Sequence, residues 1–192
     1  MASKSVREEI DKFFDYGLYV PTRTLYIGDA GDTNVDADMA RKAIMGLHIL
    51  DQTVGPITIK LNTQGGDYYH GLAIYDAIRA CNNEVTIIGF GYVMSMGSYI
   101  LQAADHRVLA PNASLMVHYG TESFEGHGKD FDRYSKEKRR QDDSFENLLL
   151  AKIREKHPNY TIGALRKLIA FDVYLTPGEA IDLGLADSVL PT

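Results

Sequence analysis

Three short apolar runs, each followed by a polar or glycine-bearing turn and then by a stretch with helical apolar spacing, constrain this chain more than any other feature. Residues 24–27, 57–61 and 85–90 read as strands, and 35–47, 71–80 and 95–104 as the helices that follow them. Strands joined through a helix are parallel neighbours linked by right-handed crossovers, so the expected fold is α/β with a mostly parallel sheet. The run from Val85 to Phe90 is almost continuously apolar, which fits a strand covered on both faces.

The rest of the chain continues the alternation. Strands are expected at 107–110 and 115–118, a long polar helix at about 129–156, a helix at 159–168, a strand at 173–176 and a helix at 177–183 with Pro177 in its first turn. Ahead of the first strand, residues 5–14 read as an amphipathic helix with Val6, Ile10, Phe13 and Phe14 on a face that needs a partner. A polar turn over 29–34 precedes the second helix, for which Thr33 or Asn34 is the expected N-cap. No repeat, low-complexity tract or linker divides the 192 residues, so one domain over 1–192 is expected, with 1–21 as its lead-in.

A net charge of −6 argues against a nucleic-acid surface, which needs clustered cations. The basic run from Lys136 to Arg140 is broken by Glu137 and followed by Asp142 and Asp143, so it reads as a solvated helix face. No apolar run approaches the roughly 20 residues that span a bilayer, and the charged N-terminal stretch lacks the apolar core of a signal peptide. Cys81 is the one cysteine, beside Asn82 and Asn83, and reads as a packing residue in a reducing compartment. A cytoplasmic protein binding neither membrane nor nucleic acid is the expectation.

Chemistry concentrates at the strand-to-helix turns. Ser95 follows the third strand and a glycine turn, Gly89-Phe-Gly91, and opens a helix, where backbone N–H groups can stabilise an oxyanion. An isolated serine there is more often a helix cap. A second glycine turn, Asn62-Thr-Gln-Gly65-Gly66, leaves the second strand at the same carboxyl edge, where α/β proteins place ligands; it also reads as a tight turn needing positive φ. His118 ends a strand and can reach that edge as a base for a serine. His70 is its rival, while His48, His106, His127 and His157 lie in helical, strand-start or polar surroundings.

These residues together resemble the Clp protease proteolytic subunit family over about residues 23–189. Asn62-Thr-Gln-Gly65-Gly66 is similar to the family's Asn-Ser-Pro-Gly-Gly turn, and Ser95-Met96-Gly97 to its nucleophile motif. Pro111-Asn112 with Met116-Val117-His118 resembles the segment ending in the catalytic histidine, and Asp172-Val-Tyr-Leu-Thr the strand carrying the catalytic aspartate. Glu179-Ala180, Gly184-Leu185 and Asp187-Ser188 match the closing helix and strand. The resemblance implies a crotonase-like, Clp-protease-like fold of repeated ββα units with a protruding handle helix at about 120–157.

It also implies a Ser95–His118–Asp172 triad with the N–H groups of Gly66 and Met96 as the oxyanion hole, and no cofactor or metal. Peptides and unfolded polypeptides are the implied substrates, inside a homo-oligomeric ring, in one form a double heptamer, with an AAA+ ATPase unfoldase as partner. The apolar crowd of Phe145, Leu148, Leu149, Leu150 and Ile153 on the long helix reads as more than one domain face covers, hence as an assembly surface, with packing wholly within the chain as the alternative.

Departures from the family pattern are local. Gln64 replaces its proline, which predicts a less rigid turn; Tyr119-Gly120 replaces Gln-Pro, and Phe171 replaces an arginine in ring-to-ring contact. The segment 1–21 does not resemble the family's axial loop. The alternatives are a noncatalytic ring subunit, a crotonase-type acyl-CoA enzyme, and a Ser-Lys peptidase using Lys129 or Lys136.

Overall fold

The computed structural model describes residues 4–29, 34–121 and 123–191. Helix α1 (Lys4–Tyr16) leads through β1 (Leu18–Tyr19) and a 3₁₀ turn at Val20–Thr22 into β2 (Thr24–Gly28). The alternation follows: α2 (Ala37–Leu50), β3 (Ile57–Thr63), α3 (Tyr68–Arg79), β4 (Val85–Met94), α4 (Met96–Leu101), β5 (His106–Leu109) and β6 (Ser114–Val117). The long α5 (Gly128–Lys156), α6 (Ile162–Leu168), β7 (Val173–Leu175), α7 (Pro177–Leu183) and β8 (Ser188–Val189) complete the described chain.

The strands form one sheet in the order β1-β2-β3-β4-β5-β8, with β6 beside β4 and β7 beside β6. Among the described strand pairs, only β1/β2 and β6/β7 are antiparallel. The fold is thus α/β with a mostly parallel sheet. Ile57, Ile59 and Leu61 alternate along β3 into a core shared with Ala43, Leu47 and Leu50 of α2 and Ile74 and Ile78 of α3. Burying side chains of this size contributes about 1.5–3 kcal/mol each.

Three expectations need correction. Helix α2 begins at Ala37, capped by Asp36, whose carboxylate accepts the Met39 N–H. Val35 is occupied elsewhere, bridged to Gly66, so neither it nor Asn34 opens the helix; Thr33 lies outside the described residues.

The segment Gly89-Phe-Gly91 is no turn, because β4 runs through it to Met94. Register slips there: Leu61 faces Gly89 but Thr63 faces Val93, so β4 carries a bulge. Gly91 takes φ +50° in the bulge, and the Asn62 side chain accepts the Tyr92 N–H freed from the ladder. The bulge lets one strand serve two partners, β5 along Thr86–Gly89 and β6 along Tyr92–Met94.

Helix α5 spends its distal apolar residues within the chain. Leu149 and Ile153 are fully buried, Leu150 nearly so, and Phe145 and Leu148 pack against the same core. That cluster is therefore no surplus surface awaiting a second subunit. On α1, by contrast, Val6, Ile10 and Phe14 stay exposed, while Phe13 packs edge-on against Tyr19. Among the described residues, no helix is long and apolar enough to cross a membrane.

Candidate active site

Strand register brings Ser95, His118 and Asp172 together from distant parts of the sequence. Met94 pairs with Met116 across parallel β4 and β6, and the Ser95 N–H donates to the Met116 carbonyl at 2.9 Å, which sets the serine beside the end of β6. Val117 pairs with Val173 across antiparallel β6 and β7, so the next residues outward are His118 and Asp172. Their side chains close the chain of contacts. Ser95 Oγ lies 2.8 Å from His118 Nε2, and His118 Nδ1 lies 2.8 Å from Asp172 Oδ1. In the tautomer that donates from Nδ1 to the carboxylate, Nε2 is left as acceptor for the serine hydroxyl.

Ser95 occupies a strained elbow. Its φ of +51° with ψ −119° is a conformation side-chain-bearing residues avoid, at a cost of about 1–3 kcal/mol, and the buried residues of α4 hold it there. Its hydroxyl does not cap α4, although the residue sits at the N-cap. The common reason for a serine at this position is absent, and its hydroxyl faces an imidazole instead.

The glycine turn packs directly against this elbow. A Cβ on Gly65 would fall 2.6 Å from Ser95 Cβ and 2.9 Å from the Met96 nitrogen, and φ is +107°, so glycine is required. In the turn, Gln64 N–H donates to Asp29, Gly65 N–H to Thr63 Oγ1 and Asp67 N–H to the Val35 carbonyl. Among the described residues, the Gly66 N–H has no acceptor, and neither has the Met96 N–H at the start of α4. Both residues line the same cavity as Ser95 and His118.

That cavity, of about 530 Å³, opens between the elbow and α5 and is lined also by Tyr68, Tyr119, Gln141 and Phe145. Tyr69 of α3 reaches across to α5, its hydroxyl donating to Glu137 at 2.5 Å. Neither Lys129 nor Lys136 lines the cavity. Lys138 does, but it is ion-paired with Asp142 and donates to the Tyr119 carbonyl at 3.2 Å.

Tyr119 ties the histidine's segment to the two helices beside it. Its hydroxyl donates to Glu146 at 2.5 Å, and the Arg166 side chain donates to both oxygens of that carboxylate, with Nη2–Oε2 at 2.8 Å. Glu146 is 4% exposed. Burial pushes its pKa up, yet the hydrogen bonds from Arg166 and Tyr119 outweigh that and hold it below the usual value. Burial, then the bond to Glu146, pushes the Tyr119 hydroxyl up to about 12. Nothing in the sequence singles out Glu146 within the long polar helix expected at about 129–156, because its partners Tyr119 and Arg166 lie 27 and 20 residues away on other segments.

The other candidates are elsewhere. His106 pairs with Glu84, His157 lies 2.6 Å from the Asp182 carbonyl, and His127 caps α5. His70 and His48 do not line the cavity. Burial, then the nearby Asp51 and Asp105 carboxylates, pushes the Cys81 thiol up to about 11, which suits a packing role. The turn expected to be loose at Gln64 is held, because the Gln64 N–H that a proline lacks donates to Asp29 Oδ2 at 2.8 Å. Phe171 is 84% exposed and makes no ring contact among the described residues.

Comparison with known proteins bears on the family. The Clp protease family model matches residues 17–192. The ATP-dependent Clp protease proteolytic subunit of Deinococcus radiodurans is 32% identical over 179 residues, which cover 91% of this chain and 83% of that relative.

Proposed function

This chain belongs to the Clp protease family, and on that premise we propose that it is a serine endopeptidase using Ser95, His118 and Asp172. The observation that carries the proposal is the Ser95 hydroxyl, held off its own helix in a strained elbow and 2.8 Å from an imidazole that a carboxylate orients. Ser95 Oγ attacks the scissile carbonyl carbon while His118 Nε2 takes its proton. Asp172 keeps the Nδ1–H tautomer and supports the imidazolium electrostatically. The carbonyl oxygen, now an oxyanion, accepts from the Gly66 and Met96 N–H groups. As the C–N bond breaks, His118 returns its proton to the leaving amine. Water, deprotonated by the same histidine, then releases the acyl group and restores Ser95.

The substrates are peptides and unfolded polypeptides, cleaved inside a homo-oligomeric ring in the cytoplasm, with an ATP-driven unfoldase as partner. Assembly and partner rest on family membership and on the name of the Deinococcus relative. The test is turnover of short fluorogenic peptides and of a folded protein, with the species followed by native mass spectrometry. An assembled form that cleaves the peptides and spares the folded protein is expected. A monomer that digests folded protein overturns the chamber, and no turnover of any peptide by any species overturns the enzyme.

A further inference from the structure

We propose that Asp29 is a positioning residue for the glycine turn, doing through two hydrogen bonds what a proline ring does by fixing φ; this rests on reading Gly66 as an oxyanion donor. Asp29 lies one residue beyond β2, and its N–H donates to the Asn62 carbonyl at 3.2 Å, continuing the β2/β3 pairing that ends at Gly28 and Asn62. Its carboxylate is thereby delivered to the turn. Oδ1 accepts the Thr63 hydroxyl at 2.5 Å, and Oδ2 accepts the Gln64 N–H at 2.8 Å. Thr63, fully buried, passes the constraint on, because its Oγ1 accepts the Gly65 N–H at 3.1 Å.

The far side of the turn is fixed independently by Val35, whose N–H donates to the Gly65 carbonyl at 2.7 Å and whose carbonyl accepts from Asp67 at 2.8 Å. Asp29 and Val35 therefore grip the turn from two sides. Of the N–H groups from Gln64 to Asp67, the clamp leaves Gly66 without an acceptor among the described residues. A donor already aimed costs no reorganisation when charge develops, and that is where such a clamp acts: on the transition state, with little effect on substrate binding. Gln64 occupies the position where the resembling motif has proline, and a proline there forgoes the Asp29 bond but stiffens the backbone itself.

Asp29→Ala, Asp29→Asn and the double variant Asp29→Ala with Gln64→Pro test this. Asp29→Ala is expected to lower kcat by about 10- to 100-fold with KM within about twofold, since small misplacements of transition-state donors act on rate. Affinity for a peptide boronic acid, which forms a tetrahedral adduct on serine, falls in parallel. Asp29→Asn, able to accept one of the two bonds, is intermediate, and the added proline recovers most of kcat. Hydrogen exchange over residues 62–67 gives an activity-independent reading: faster in Asp29→Ala, and restored by the proline. Unchanged exchange and unchanged kcat in Asp29→Ala overturn the clamp, as does a kcat loss that tracks a chain-wide rise in exchange and resists the proline. If the parent protein turns over no peptide, the peptidase reading falls, and the exchange of residues 62–67 still decides whether Asp29 holds the turn.

Discussion

The proposed nucleophile and its proposed base sit in unlike surroundings. Ser95 joins β4, which is hydrogen-bonded on both sides, to α4, every residue of which from Met96 to Leu101 is buried. His118 and Asp172 lie at the end of the β6/β7 pair; β7 is three residues long and, among the described residues, pairs with β6 alone. The Asp172 side chain is 54% exposed and that of His118 18%. Core packing thus fixes Ser95 and, through the buried Leu115 to Val117 of β6, the backbone that leads to His118, whereas the carboxylate that orients the imidazole stands at an exposed rim. Substitutions on the first side strike folding and chemistry together, and those on the second can strike chemistry with folding intact.

Asp172→Asn is the strongest way to test that separation. The change favours the imidazole tautomer that donates from Nε2, which denies Ser95 its base, and a loss of about 10⁴ in kcat is expected. Because the carboxylate is half exposed and packs little, the thermal midpoint should stay within a few degrees. Peptide turnover beside a melting curve checks both halves. A large fall in midpoint would break the comparison by making the rim structural, and parent-like turnover in a folded variant would remove Asp172 from the mechanism.

A smaller effect is expected at Glu146, where the base side is anchored to α5 and α6. Its pKa is depressed in the folded chain, so its contribution is present above the ordinary carboxylate value of 4.5 and is lost as pH falls through and below that value. Glu146→Gln keeps an acceptor for Tyr119 but loses the ion pair with Arg166. It should cost about 1–3 kcal/mol near neutral pH, discounted from a fully buried pair because Arg166 is half exposed. Denaturant titrations of parent and variant should converge as pH falls below 4.5. A gap that stays constant with pH would mean that packing, not charge, anchors this end.

The main sheet was legible in the sequence because each β–α unit carries its own signals: β-branched runs, glycine turns and helical spacing within about 30 residues. Local signals failed where the partner is remote. The bulge at Gly91 looked like a turn because periodicity cannot show that β4 changes partner from β5 to β6. The two-residue β1 is too short for any pattern. The 23 positions from Ser95 to His118 and the 54 from there to Asp172 are closed by strand register alone, so composition and spacing could not join them; resemblance supplied that link. Asp29 and Glu146 carried no local mark, one reading as a turn residue and the other as part of a charged helix. The apolar half of α5 misled because α5 itself does not say which element covers it.

Identification of the reactive serine tests the central claim most directly. Fluorophosphonate treatment of the purified protein, followed by peptide mass mapping, is expected to place one adduct on Ser95 and none on Ser95→Ala. Two other serines bracket the result. The Ser98 hydroxyl donates to the Ser95 carbonyl at 2.6 Å, and Ser114 lies at the start of β6 away from the imidazole, so neither has a base. An adduct on either of them, or labelling that survives Ser95→Ala, contradicts the account.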